Sequence, residues 1–230
     1  CLRLLLEQQP VARDLRYISS ALKMISDLER IGDQCSDIAD IAEYLYGKDQ
    51  DGMESAIRIQ DMASATMRMV TRAVESFIQK DLALAKSVQE SDDVVDNMFD
   101  EIKKEIVELI AKYPDRGEMM LDFLMVAKYF ERIGDHAENF ADYTKTEIKH
   151  NTGLTGDAKE EINKMYTAVS KLLKLSLECF MEQDGVNKPE EKLAEIAILE
   201  ASIDKMERRY QKHHIKRLAK GECEPRAGLL

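Results

Sequence analysis

Glu29-Arg30-Ile31-Gly32-Asp33 returns letter for letter as Glu131-Arg132-Ile133-Gly134-Asp135, one hundred and two residues later. The surroundings agree in kind. Leu22-Lys23-Met24 precedes the first copy and Leu124-Met125-Val126 the second, while Asp37 and Asp40 follow one and Asn139 and Asp142 the other. An identity set on two similar apolar backgrounds marks an internal repeat, so the chain must fold as two versions of one unit. On a helix, residues four apart are offset by about 40° and face the same way. Glu29, Asp33, Asp37 and Asp40 then form one acidic stripe, which needs either solvation or a cation to offset its self-repulsion. Glycine inside a helix costs roughly 1 kcal/mol against alanine. Its presence in both copies predicts close approach of something to the backbone there.

A weaker repeat accompanies the first. Asp92-x-x-x-Asp96-x-Met98 matches Glu200-x-x-x-Asp204-x-Met206, offset by one hundred and eight residues, and each pair again puts two carboxylates on one helical face. The candidate metal ligands are therefore Glu29, Asp33, Asp37, Asp92, Asp96, Glu131, Asp135, Glu200 and Asp204. Hard oxygen donors suit Mg²⁺, Ca²⁺, Mn²⁺ or ferric iron, and the spacing does not separate them. The competing reading is a solvated charged face, with Arg30 and Arg132 offsetting part of the stripe.

Apolar periodicity predicts six helices, at about 11–46, 53–79, 82–113, 116–149, 157–183 and 190–219, after the tail of a helix or a short apolar turn at 3–9. Gly47, Lys80-Asp81, Pro114, the polar stretch 151–156, Asp184-Gly185 with Pro189, and Gly221 punctuate them. The chain has no tryptophan and only ten glycines and four prolines, which also favours an all-α fold. A net charge of −11 argues against nucleic acid as a partner. No apolar run reaches the ~20 residues of a membrane span, and no signal peptide is visible. Cys1, Cys35, Cys179 and Cys223 are far apart, as reduced thiols of a cytoplasmic protein would be. His136 reads as a surface or packing histidine, since Gln34 replaces it in the first copy. His213 and His214, with Arg208, Arg209, Lys212, Lys216 and Arg217, read as a solvated basic face; contact with an acidic partner or a phospholipid surface is the sharper alternative. Met62, Met67 and Met69 read as core filler. No nucleophile elbow, phosphate-cradling loop or Ser/His/Asp pattern is present, so no enzyme is expected.

The motif Leu28-Glu29-Arg30-Ile31-Gly32-Asp33, its second copy opening with Phe130, and Gln9-Pro10-Val11-Ala12-Arg13-Asp14-Leu15-Arg16 upstream resemble the PhoU family of phosphate-uptake regulators. The resemblance covers about residues 4 to 220. It implies paired three-helix bundles whose (Glu/Asp)-x-x-x-Asp motifs bind multinuclear metal clusters, with iron, manganese, magnesium or zinc as the cofactor. The implied function is a cytoplasmic, non-enzymatic negative regulator of phosphate uptake and signalling. Its partners would be a phosphate transporter and a sensor histidine kinase, with Asp14-Leu15-Arg16 implied in partner contact and a homodimer left open. The alternative is the cytoplasmic PhoU-like tail of a sodium/phosphate symporter; a metallo-carboxylate enzyme is a more distant third reading. The repeat begins and ends mid-unit, and the chain opens at Cys1 without a methionine, so the expectation is a fragment of something longer. Residues 48–154 are expected to form one complete bundle, and 1–47 with 155–230 a second that closes between its ends. The acidic pairs would then meet as Asp92/Asp96 with Glu131/Asp135 and Glu29/Asp33 with Glu200/Asp204.

Overall fold

The computed structural model describes residues 12–46, 58–149, 155–181 and 189–219, and of residues 12–19, 21, 218 and 219 the backbone alone. The expected helix tail or turn at 3–9, the linkers at 47–52 and 151–154, the Asp184-Gly185 break, Cys1 and Cys223 lie outside these residues. So do the side chains of Asp14, Leu15 and Arg16.

Six long helices follow one another: α1 (Ala12–Leu45), α2 (Ile59–Gln79), α3 (Leu82–Lys112), α4 (Gly117–Lys149), α5 (Gly156–Met181) and α6 (Glu190–Ala219). Local chemistry sets the joints. Lys80 ends α2 in the left-handed conformation, at φ 55°. Asp81 then starts α3 by accepting hydrogen bonds from the backbone N–H of Ala83 at 2.8 Å and of Leu84 at 3.0 Å. Pro114 stops α3 and opens a short 3₁₀ turn, Pro114–Arg116, before α4. The Thr155 hydroxyl caps α5 by accepting from the Ala158 N–H at 3.3 Å.

The fold is all-α, built as two three-helix bundles. Helices α2, α3 and α4 pack together, and α1 packs on α5 and α6. The two motif-bearing helices, α1 and α4, also pack on each other, and α2 reaches α5. Lys23 lies against Tyr143, Asp37 against Tyr129 and Tyr44 against Glu118, so α1 and α4 run antiparallel. An antiparallel pair carrying the same motif gives the molecule an approximate two-fold relation.

Apolar positions at helical spacing fill the interior: Met24, Leu28, Ile31 and Ile38 on α1, Met62, Met69 and Phe77 on α2, Phe123, Phe130 and Phe140 on α4. Each side chain of this size contributes about 1.5–3 kcal/mol by burial. Phe77 meets Phe140 edge-to-face within one bundle, at 5.7 Å between ring centres. Phe123 meets Phe180 the same way across the two, at 5.8 Å. Met62 and Met69 are core residues, and Met67 packs at the core's edge.

One expectation fails on α6. Isoleucines and Tyr210 at heptad spacing (Ile196, Ile203, Tyr210) turn the stretch around 213–217 inward instead of presenting it whole to water. His214 is fully buried, and burial lowers its pKa to about 4, so it is neutral in the fold. His213 and Arg217 both engage the Glu161 carboxylate of α5, each at 2.6 Å. Burial opposes ionisation of Glu161, but its bonds to Arg217 and His213 prevail and lower its pKa.

Candidate metal centres

A neighbouring helix packs on the motif helix at both glycines, tightly at Gly32 and with room for a methyl group at Gly134. A Cβ on Gly32 would stand 3.3 Å from Ile203 Cδ1 of α6 and 3.7 Å from Leu172 Cδ2 of α5. A Cβ on Gly134 would stand 3.5 Å from Val95 Cγ1 and 3.6 Å from Asp92 Oδ1, both on α3. Val95 and Ile203 are separated by the same one hundred and eight residues as the weaker acidic repeat. In each bundle, then, a branched apolar residue seats on the bare backbone of the motif helix. Acids of the weaker repeat lie beside that contact, near those of the motif.

Two clusters result. In the first, carboxylate oxygens of Glu29, Asp33 and Asp204 lie within 4.8 Å of one another; in the second, those of Asp92, Asp96 and Asp135 do. Two oxygens on opposite sides of one cation, at metal–oxygen distances of about 2.1–2.5 Å, stand about 4–5 Å apart. The donor set is all oxygen, and the nearby Cys35 is fully buried with its thiol pKa pushed up by burial, so it offers no thiolate.

The electrostatics of both clusters disfavour three or more bare charges. Burial, then Asp33, Glu207 and Asp204, raise the pKa of Glu29 to about 7. Burial, then Glu138, Asp96 and Asp135, raise that of Asp92 to about 7. Asp33, Asp96, Asp135 and Glu200 are also raised, each first by burial and next by a neighbouring carboxylate. Asp92 Oδ1 is buried and, among the described residues, accepts no hydrogen bond. A buried oxygen without a donor costs about 1–3 kcal/mol, which a cation would offset. The residues present fit a hard metal ion.

Three candidates stand apart from these groups of three. Glu131 is held by Lys128, Nζ to Oε2 at 2.5 Å. Asp37 accepts a hydrogen bond from the Tyr129 hydroxyl and feels Arg132. Glu200 lies beside the first cluster, in the field of Asp204 and Asp33. Sequence reasoning passed over Glu207, which bears on Glu29 and Asp33; its place seven residues after Glu200 on the same helical stripe could have exposed it. Glu138, which bears on Asp92, has serine at the matched position of the first copy and so carried no repeat signal. The pairing of Asp27 with His136 carried none either.

The fold and its two acidic clusters define a class: a double three-helix-bundle protein with a duplicated carboxylate face. A model of the PhoU domain matches residues 1–42 and 59–144, and the chain belongs to that family. The phosphate-specific transport system accessory protein PhoU homolog of Pseudomonas aeruginosa is 34% identical over 167 residues, covering 70% of this chain and 68% of the relative. PhoU homolog 1 of Thermotoga maritima is 35% identical over 133 residues, covering 58% of this chain and 57% of the relative. The Aquifex aeolicus homolog is 37% identical over 132 residues, covering 57% and 59%. The chain thus spans between 57% and 68% of the length of these relatives. No solved structure matches it at a significant level. Among the described residues no helix is long and apolar enough to cross a membrane.

Proposed function

We propose that this chain is a metal-binding regulator of phosphate uptake and phosphate signalling, acting in the cytoplasm through contact with other proteins rather than by catalysis. Relatives named as accessory proteins of a phosphate-specific transport system support the phosphate assignment. The observation that carries the metal half is the duplicated cluster, Glu29/Asp33/Asp204 and Asp92/Asp96/Asp135, each beside a glycine on which a branched residue of the neighbouring helix packs. Glu29, Asp33 and Asp204 would hold one hard cation, with Glu200 and Asp37 beside them. Asp92, Asp96 and Asp135 would hold the second, with Glu131 beside them. A bound cation supplies positive charge where the fold has gathered negative charge, and so stiffens the approach of α6 to α1 and of α3 to α4. The regulated partners would be a phosphate transporter and its sensor histidine kinase.

Two measurements test this. Elemental analysis of the purified chain is expected to find a di- or trivalent metal that D33N/D204N and D92N/D135N each reduce. Expression in a bacterial strain lacking its own PhoU protein is expected to restore regulated phosphate uptake. Metal-free protein together with unrestored uptake would reject both halves.

A further inference from the structure

The two clusters are not equivalent, and one exchanged pair of residues changes the charge beside them. Lys128 precedes Glu131 by three residues, as Ser26 precedes Glu29. Phe99 follows Asp96 by three residues, as Glu207 follows Asp204. In the first cluster the Ser26 hydroxyl donates to Glu207 at 3.3 Å, a neutral contact that leaves Glu29 to the cluster. In the second, Lys128 Nζ lies 5.3 Å from the centre of the Phe99 ring and 2.5 Å from Glu131 Oε2. A ring there supplies an apolar, weakly cation-attracting wall where the first cluster has the Glu207 carboxylate.

The carboxylates that converge differ too. Glu29 belongs to the close group of the first cluster, whereas its counterpart Glu131 is missing from the second, where Asp92 takes a place instead. The first cluster has a cation as well, Arg208 on Asp204 at 2.8 Å. That side chain is 69% exposed, against 41% for Lys128, and Asp204 keeps its place among the three.

We infer that Lys128 makes the second centre the weaker binder of divalent cations, as a tethered ammonium that pairs with Glu131 and sets a positive charge beside the carboxylates. The inference rests on the metal reading above. A unit charge about 5–6 Å from a divalent ion, in surroundings close to water in dielectric response, is worth roughly a factor of ten in affinity.

Titration of the full chain with Mn²⁺, reading the free ion by electron paramagnetic resonance, separates the centres when one is silenced. In a D33N/D204N background, which leaves the second centre, K128S is expected to tighten Mn²⁺ binding roughly tenfold, while K128R keeps the parental affinity. In a D92N/D135N background, S26K is expected to weaken the first centre by a similar factor. Circular dichroism of each variant checks that the helices persist. Metal bound at both centres, with K128S within twofold of its parent, overturns the role of Lys128 and leaves the metal reading standing. K128R behaving as K128S does overturns the charge argument, since the arginine keeps the charge. No Mn²⁺ taken up by the wild-type chain removes the metal reading and this inference with it.

Discussion

His136 Nδ1 of α4 stands 2.9 Å from Asp27 Oδ1 of α1, so an acid of one bundle is bonded to a base of the other at the centre of the molecule. The side chains are 12% and 7% exposed. The Tyr143 hydroxyl donates to the same carboxylate, and burial, then the charge of Asp27, raises its pKa to about 12. Lys23 Nζ closes the group 5.5 Å from the Tyr143 ring centre.

Removing one partner should cost more than removing both. D27A leaves the imidazole buried with no acceptor and is expected to lower stability by about 1–3 kcal/mol. A D27A/H136F pair should recover part of that. Urea denaturation across the double-mutant cycle measures the coupling, and purely additive losses would show that the pair does not join the bundles.

Gly134 separates two substitutions. The added carbon of G134A sits at ordinary contact distance from Val95, Asp92 and Met69. The alanine should therefore gain up to about 1 kcal/mol of helix preference. G134L must place further carbons where Val95 and Asp92 stand, and about 1–3 kcal/mol of overpacking is expected to exceed that gain. It should also weaken metal uptake at the second centre. Denaturation and elemental analysis of both variants decide the matter; a leucine variant that is more stable and still loads metal would contradict the close approach.

Metal-free stability should fall as pH rises through the range set by Glu29 and Asp92. Both carboxyls, raised to about 7, hold protons in the fold that the unfolded chain has already released. Their contribution is complete below the ordinary carboxylate range and is lost as pH climbs to about 7. Saturating Mg²⁺ or Mn²⁺ should remove that slope, because the cation replaces the protons. Melting curves from pH 5 to 8, with chelator and with metal, are the check; identical slopes would count against cation binding.

His214 acts in the opposite direction. Its pKa, lowered to about 4 by burial, means that the unfolded chain takes up a proton below about pH 6.5 that the fold refuses. Its stabilising share is present above pH 6.5 and is lost as pH falls towards 4. H214L should lose less stability than the wild-type chain between pH 7.5 and 5. Equal losses would show that the imidazole is not held neutral.

The helices were legible because their boundaries are local chemistry. Asp81, Pro114 and the apolar stripes mark them, and α1 ends at Leu45 against an expected end near Tyr46. The acidic faces were legible because each was written twice. What stayed hidden was written once, or depends on a partner far along the chain. Asp27 and His136 are separated by 109 positions, and nothing at Gln34 or Tyr129, their matched positions, announces the bond. The burial of His214 was masked by the charges around it, since charge density reports one face of a helix and Ile203 and Tyr210 report the other. Lys128 carries no repeat signal, since serine stands at its matched position, and its ring contact depends on how α3 packs on α4.

The order of helices along the chain also imposes a schedule on assembly. The contacts of α2, α3 and α4 are among successive helices, so that bundle can close as soon as they leave the ribosome, and α1 can dock on α4 at that stage. The face of α1 that carries Leu28 and Gly32 must wait for α5 and α6; Ser26 meets Glu207 across a sequence separation of 181. Closure over such a span is slow relative to contacts between neighbours. Until it happens, a half-finished molecule presents an apolar stripe to other chains, the exposure that favours exchange of helices between copies during synthesis.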